Sequence, residues 1–509
     1  MMLGEILNGC DCIEYSPDQE SFMNTDISGI AYDSRNVRNG CLFIAVKGEK
    51  FDGHDFIRDA IEKGAIMIVA ERDVSPVEIG YIRVKEGRKA LACIANNFFE
   101  RPSESITLIG ITGTNGKTTT TYVMKSILES WGKNVGLIGT IRYMIKDSIY
   151  PAFHTTPESL EFQGLLKEMV ISGCTHVISE VSSHALAQYR VDKAVFDTAV
   201  FTNLTRDHLD FHKTMEEYFR AKKRLFIELL DEGGTAVVNL DDPYGKRLIA
   251  ELRTMNNKRH VLTYGLEAGA DITAYGIQNS FRGLKFTISF EGHSYDISSP
   301  LVGTPNVYNI LSAVGAAISL DVLPEAIIEG VTKTGTVTGR FESVDAGQTF
   351  HCLVDYAHTE DALERLLYTV REIVNQQSGA RTPGSSSRII TVFGCGGDRD
   401  RGKRPRMGEA ATRLSDFAVI TSDNPRSEEP MDIIKDIEVG TAGKNYLIEP
   451  DRKKAIRKAV DMANDGDVVL VAGKGHEDYQ EIKGVRYPFS DRDVLKEEIK
   501  DKLKIHHAK

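Results

Sequence analysis

Residues 106–119 read ITLIGITGTNGKTT. An apolar run (106–111) is followed at once by Gly113, Thr114, Asn115, Gly116, Lys117, Thr118 and Thr119. After these come Val123, Met124, Ile127 and Trp131 at helical spacing. This is a strand, a glycine-rich turn and a helix. Glycines let backbone N–H groups close around phosphate oxygens, and the helix N-terminus adds partial positive charge. Lys117 neutralises phosphate, and the Thr118 hydroxyl suits Mg2+. The stretch departs from the general phosphate-loop pattern, whose first glycine would fall on Ile111; Gly110 and Gly113 flank that position. An ordinary glycine-rich turn is the plainer alternative, but the strand-to-helix context favours nucleoside triphosphate binding.

Outward from this unit, residues 105–336 alternate apolar runs with helical periodicity, the pattern of a doubly wound parallel sheet. A smaller α/β unit precedes it (1–104), and a third, Rossmann-like α/β unit follows (337–509). The fold class expected is α/β with three domains, the central one carrying the phosphate loop. In such sheets ligands gather beyond the carboxyl ends of strands. Those ends are polar here: Glu180 and Asn203 in the central unit, then Asp355, residues 394–400, Asp423 and residues 473–477 in the third. Two reactive sheet edges facing a shared cleft are expected. The Ser-, Gly- and Pro-rich piece at 376–387 reads as a surface loop.

Size and composition set the limits. A chain of 509 residues is long enough for several cores and needs no cross-links. The seven cysteines are scattered, with Cys10 and Cys12 the one close pair and no metal-ligand spacing, which fits a reducing compartment. No apolar run approaches the ~20 residues of a membrane span, and no signal pattern opens the chain, so a cytoplasmic location is expected. A net charge of −11 argues against broad nucleic-acid binding.

A second signal comes from periodicity. Thr214 and Glu217 form a capping box opening a helix whose apolar stripe runs through Tyr218, Leu225, Phe226 and Leu229, and Lys222 lies in that stripe. Lys223 and Arg224 point elsewhere. A lysine on a buried face either snorkels to a salt bridge or is an amine whose pKa is lowered by burial, open to modification.

Further blocks follow in order: EVSSHALAQYR (180–190), FTNLTRDHLDFH (201–212), GRFE (339–342), VDYAH (354–358), GCGGDRDRGKRPRMG (394–408), DNPR (423–426) and GKGHEDYQ (473–480). With the phosphate loop they resemble the successive blocks of Mur ligases, and the last three resemble the tripeptide-forming branch. The resemblance spans essentially the whole chain. It implies an ATP-dependent acid–amino-acid ligase of peptidoglycan precursor synthesis. Such a ligase joins meso-diaminopimelate to UDP-N-acetylmuramoyl-L-alanyl-D-glutamate through an acyl phosphate, with Mg2+ as cofactor, and is expected to act as a monomer.

The resemblance also implies roles. Glu180 and His208 correspond to magnesium ligands alongside Thr118, and Lys222 to a carbamylated lysine supporting the metal, so that Lys117, Glu180, His208 and Lys222 form the catalytic set. Asn306 in GTPNVYN (303–309), Arg340 and Asp355 correspond to further ATP-binding residues. Ser34, Thr155, Thr156, Ser182, Gln188 and Arg190 correspond to residues that hold the nucleotide sugar and its peptide, Arg190 suiting a carboxylate. Arg399, Asp423, Asn424, Arg426, Gly473 and Glu477 correspond to the amino-acid site. There Arg426 suits the distal carboxylate of diaminopimelate, while Asp423 and Glu477 suit its ammonium. Lysine lacks that carboxylate, so DNPR favours diaminopimelate. Structural readings stand beside these: a turn for Asn-Pro-Arg, a surface arginine for Arg340, caps and turns for each Ser or Thr, and hydrogen-bonded structural roles for His176, His184 and His212. A lysine-adding ligase, or a P-loop nucleotide-binding protein without ligase activity, is the competing function.

Overall fold

The structure, a computed structural model, describes residues 1–16, 22–48, 51–73, 79–255, 258–378 and 387–507. Three large sheets and one two-stranded hairpin carry the described residues. The N-terminal one orders Cys12–Ser16, Gly80–Val84, Ala65–Ala70, Cys41–Ile44 and Gly29–Ala31, parallel except for the first strand. All four residues of Cys41–Ile44 are buried because both faces are covered. Leu42 and Ile44 join one apolar cluster and Cys41 and Phe43 the other, the period-2 alternation of a strand.

In the central sheet the strand Thr107–Thr112 lies between Phe196–Phe201 and His176–Glu180, with Val135–Ile138 beyond the latter and Leu230–Asn239 and His260–Gly265 beyond the former, all parallel. The chain therefore winds one way from Thr107–Thr112 and then reverses, and the crevice beyond this strand is the switch point where ligands bind in such sheets. Ile109 and Ile111 pack under the helices Lys117–Ser130 and Thr304–Ile318, whereas Leu108 faces the layer containing Ser159–Ile171 and Met215–Arg224.

Both edges differ from the strand-then-helix alternation expected across 105–336. Arg142–Ile145 with Ser148–Pro151, and Ile272–Ser280 with Gly283–Phe290 and His293–Ser299, are antiparallel. Their connections of two residues are too short for a parallel crossover and permit only hairpins. The tip of one hairpin reaches the next unit, where Phe281 stacks on His351 at 4.2 Å.

The C-terminal sheet runs Glu342–Ser343, His351–Asp355, Val468–Ala472, Ile389–Phe393, Phe417–Ile420 and Tyr446–Ile448, parallel except for the first. A separate hairpin, Tyr479–Ile482 with Val485–Pro488, follows it. The loop expected at 376–387 lies largely outside the described residues; the helix Glu360–Ser378 continues into its first part.

One pairing was not read from the sequence. Cys10 and Cys93, 83 residues apart, are disulfide-bonded. The helix Gly87–Phe98 packs on the N-terminal turn, where Asn97 Nδ2 donates to the carbonyls of Ile6 and Asn8, and this brings the two sulfurs together. Spacing along the chain holds no trace of such a pair. Among the described residues no helix is long and apolar enough to cross a membrane.

Candidate active site

The phosphate loop turns at Gly113 (φ 150°) and Gly116 (φ 88°), in conformations that L side chains rarely adopt. A Cβ on Gly113 would run into Thr202 Oγ1, and one on Gly116 into Asn309 Oδ1. The neighbouring strand's exit braces the loop. Asn203 Oδ1 accepts from Asn115 N at 3.0 Å, its carbonyl accepts from Thr114 N at 2.8 Å, and Thr202 Oγ1 donates to Asn115 O at 2.6 Å. Lys117 Nζ folds back onto the carbonyls of Gly113 and Thr114 at 2.9 and 3.0 Å. Loss of solvent holds its pKa below the ordinary lysine value.

Glu180, 1% exposed, ends the adjacent strand. Its Oε2 accepts from Thr118 Oγ1 at 3.0 Å and Thr140 Oγ1 at 2.9 Å, and its Oε1 from Thr140 N at 2.9 Å. Thr118 and Glu180, two of the residues expected at a metal, thus meet.

The expected cap at Thr214 is present, its hydroxyl accepting from Glu217 N at 3.1 Å. The helix Met215–Arg224 runs into a π-helical turn, Leu225–Leu229, a feature frequent at functional sites. Lys222 is 1% exposed. Its Nζ donates to Gly113 O at 2.8 Å and sits 4.7 Å from the centre of the Tyr218 ring. Burial, and then the nearby Lys117, push its pKa well below the usual lysine value. Lys223 and Arg224 instead meet Glu251 and Asp192.

His208, in a left-handed conformation (φ 54°), lies 3.3 Å from Asp207 and 4.8 Å, ring to ring, from His184. Among the described residues no three His, Cys, Asp or Glu side chains stand close enough to hold a metal by themselves. His212 Nε2 bonds Ser183 Oγ and His176 Nδ1 bonds Thr175 Oγ1, each at 2.9 Å, in keeping with structural roles.

A cavity of about 850 Å³ opens over the loop and takes in Asn306, Arg340 and Asp355. Asn306 Nδ2 donates to Val302 O at 2.7 Å. Arg340, 3.4 Å from Thr118 Oγ1 and lying over Tyr356, reaches the loop from the C-terminal unit. Burial raises the Asp355 carboxyl, with Arg340 opposing, and its oxygens accept from Phe341 N and Ala357 N. Sequence reasoning missed Asp361, whose Oδ2 accepts from Asn115 Nδ2 at 3.2 Å and Thr205 Oγ1 at 2.9 Å. It sits in the first turn of a helix, where an acidic residue reads as a response to the helix dipole.

A second cavity, about 1170 Å³, brings together all six residues expected at the amino-acid site. Asn424 Nδ2 donates to Glu477 Oε2 at 2.7 Å. Arg426 (φ 51°) is pinned by backbone bonds to Glu481 and Lys483, and its Nη1 donates to Gly397 O at 2.7 Å. Gly473 (φ 120°) leaves room for Asp423, whose Oδ2 would stand 2.6 Å from an added Cβ. The central unit contributes Arg142, Phe153 and His154 to the same cavity, none of them assigned from sequence. His476 was also missed; its buried Nδ1 has no partner among the described residues.

The remaining group is more dispersed. Thr155 Oγ1 meets Thr140 Oγ1 at 3.1 Å at the junction of the two cavities. Thr156 Oγ1 donates to Glu180 O and accepts from Ser182 N, and Ser182 caps the helix Ser183–Ala187. Arg190 bonds Gln188 Oε1 and pairs with Glu158 at 2.9 Å, so its carboxylate partner in this structure is internal. Ser34, buried in a short turn capped by Asp33, lies in the N-terminal unit outside both cavities.

Three stretches match known families: residues 26–99 the Mur ligase family catalytic domain, 111–317 the Mur ligase middle domain, and 339–475 the Mur ligase glutamate ligase domain. The chain is 46% identical over 508 residues to the UDP-N-acetylmuramoyl-L-alanyl-D-glutamate--2,6-diaminopimelate ligase of Solibacter usitatus (strain Ellin6076), with 98% of each covered. It is 46% identical over 478 residues to the ligase of the same name from Aquifex aeolicus (strain VF5), with 94% of each covered. A solved structure of a ligase of that name matches with a TM-score of 0.70 at 32% identity over 99% of both chains.

Proposed function

Because the chain belongs to the Mur ligase family, we propose that it joins meso-diaminopimelate to UDP-N-acetylmuramoyl-L-alanyl-D-glutamate at the expense of ATP, in peptidoglycan precursor synthesis. One observation carries this reading: the loop cavity and the cavity around Arg426 share Thr140, Thr155, Asp207, His208, Tyr356 and His358 as lining. A phosphoryl donor over Lys117 and the free amine of an amino acid whose far end is anchored at Arg426 and Glu477 would meet at that junction.

A carboxylate is a poor electrophile, so the substrate's glutamate side chain first attacks the γ-phosphorus and releases ADP. The amine then attacks the resulting acyl phosphate, and the tetrahedral adduct collapses to amide, phosphate and a proton. Bringing a triphosphate to a carboxylate concentrates negative charge, which Lys117 and Arg340 offset. The Thr118 hydroxyl and Glu180 carboxylate, hard oxygens 3.0 Å apart, would hold Mg2+. That ion would supply further charge neutralisation. Unmodified Lys222 is a candidate ammonium and no metal ligand. As a neutral amine it takes up CO2, R–NH2 + CO2 → R–NH–COO⁻ + H⁺, and becomes an anion able to support the ion, with His208 nearby.

In this reading Asn306 and Asp355 serve the nucleoside, and Ser34 the uridine end. Thr155, Thr156, Ser182, Gln188 and Arg190 line the path of the sugar peptide. The units 1–104, 105–336 and 337–509 act as UDP-, ATP- and amino-acid-binding domains of a cytoplasmic monomer. Contacts from Arg340 and Asp361 to the loop support a closed arrangement that keeps water from the acyl phosphate. Phosphate release that requires ATP, the muramoyl dipeptide and a diamino acid together tests the ligase reading; release indifferent to the amino acid overturns it.

A further inference from the structure

Lys474 is 0% exposed, yet its ammonium points at the amino-acid site. Nζ donates to Asn424 Oδ1 at 3.0 Å and to Glu477 Oε2 at 3.1 Å, and it lies 5.5 Å from the Tyr479 ring centre. Asn424 Nδ2 donates to that same Glu477 oxygen, and Asn424 Oδ1 also accepts from Glu481 N at 2.9 Å. Three side chains therefore lock one another. Oε1 of Glu477 has no partner among the described residues, and Glu477 lines the cavity.

Charge leads to the same residue. Asp423 and Glu477 would present two negative charges to a single substrate ammonium. Burial first of all raises the Glu477 carboxyl above its ordinary value, Asp423 adding to the rise and Lys474 opposing it only in part. Lys474 places a buried cation against this pair of carboxylates, while Arg426, its Nε 3.9 Å from Glu481 Oε2, lines the same cavity.

Resting on the ligase reading, we propose that Lys474 is a positioning residue for the incoming amino acid: it occupies Glu477 Oε2 and Asn424 Oδ1, leaving Glu477 Oε1 as the acceptor for the substrate's distal ammonium. A charge-assisted bond lost from such a site corresponds to about tenfold or more in affinity.

The test compares Lys474→Met, Glu477→Gln and the double variant in the full chain. The parent's diaminopimelate-dependent phosphate release is measured first, and its absence overturns the ligase reading itself. With that release in hand, each single variant is expected to raise the KM for diaminopimelate about tenfold or more, with the KM for ATP within about twofold. Because Lys474 acts through Glu477, the double variant should match Glu477→Gln alone. Losses that multiply, equal shifts in both KM values, or an unchanged KM in Lys474→Met overturn the role of Lys474 and leave the ligase reading standing. Should Lys474→Met fail to fold, the double variant, which leaves no unbalanced Glu477 charge, is expected to fold with the KM of Glu477→Gln. Misfolding of the double variant, or a higher KM, also overturns the proposal.

Discussion

Lys222 Nζ stands 2.8 Å from the carbonyl oxygen of Gly113, and Lys117 Nζ reaches the same oxygen at 2.9 Å. One backbone carbonyl of the phosphate loop thus receives two lysines from different helices. Burial disfavours the charged form of both, and Lys117 further disfavours that of Lys222. The arrangement shifts Lys222 towards the neutral amine, the form that carbamylation requires.

Replacing Lys222 by Ala should therefore lower ATP-dependent ligation by about 100-fold or more, the scale at which charge-stabilising groups act in active sites. The parent should lose activity on CO2 depletion and regain it with bicarbonate. Steady-state phosphate release checks both, and full activity in Lys222→Ala contradicts the metal-support role.

Arg426 lines the cavity, with its main chain held by two backbone bonds, its Nη1 on Gly397 O and its Nε 3.9 Å from Glu481 Oε2. Arg426→Ala should raise the KM for diaminopimelate about 10- to 100-fold, as loss of a charged hydrogen-bond partner does. The KM for ATP should stay within about twofold. Equal shifts in the two would remove Arg426 from the specificity argument.

Gly473→Ala places a Cβ 2.6 Å from Asp423 Oδ2 at a φ of 120°. The strain should cost about 1–3 kcal/mol, seen as a lower melting temperature. Asp423 must shift, so the KM for the amino acid should rise as well. A variant with unchanged melting and KM would mean that this close approach is relaxed in solution.

Glu428 joins the loop at 394–402 to the DNPR segment. Its carboxylate takes the buried Arg404, with Arg401 and Asp398 N adding to the hold, and Arg404 first of all lowers its pKa to about 2. A carboxyl depressed in the folded state stabilises the fold above its unfolded value, about 4.5, and that stabilisation is lost as pH falls towards 2. Glu428→Gln should cost ~1.5–3 kcal/mol at pH 7. The gap in melting temperature between parent and variant should narrow steadily below about pH 4.5; a gap independent of pH would remove the ionised pair as its cause.

How much of this was legible in the sequence depends on the distance over which each feature is encoded. The strand, glycine turn and helix around Gly113 to Lys117 are local, and the structure places them as read. Burial of Lys222 followed from its place in an apolar stripe, which helical periodicity makes visible. The antiparallel edges around 142–151 and 272–299 read as more of the same alternation, because apolar runs look alike until the length of the connection is weighed. The Cys10–Cys93 bond, the Arg190–Glu158 pair, Asp361 against Asn115, and Lys474 locked to Asn424 join residues far apart in the chain or pair polar groups whose burial no local pattern reveals. A lysine at 474 resembles any solvated lysine until its surroundings are seen.

The most direct measurement is a competition assay. The protein, ATP and UDP-N-acetylmuramoyl-L-alanyl-D-glutamate are incubated with equal concentrations of meso-diaminopimelate and L-lysine, and the product masses are read. The expected result is a product carrying diaminopimelate in large excess, its formation matched by released phosphate. A product carrying chiefly lysine, or phosphate release with no new amide, would contradict the assignment.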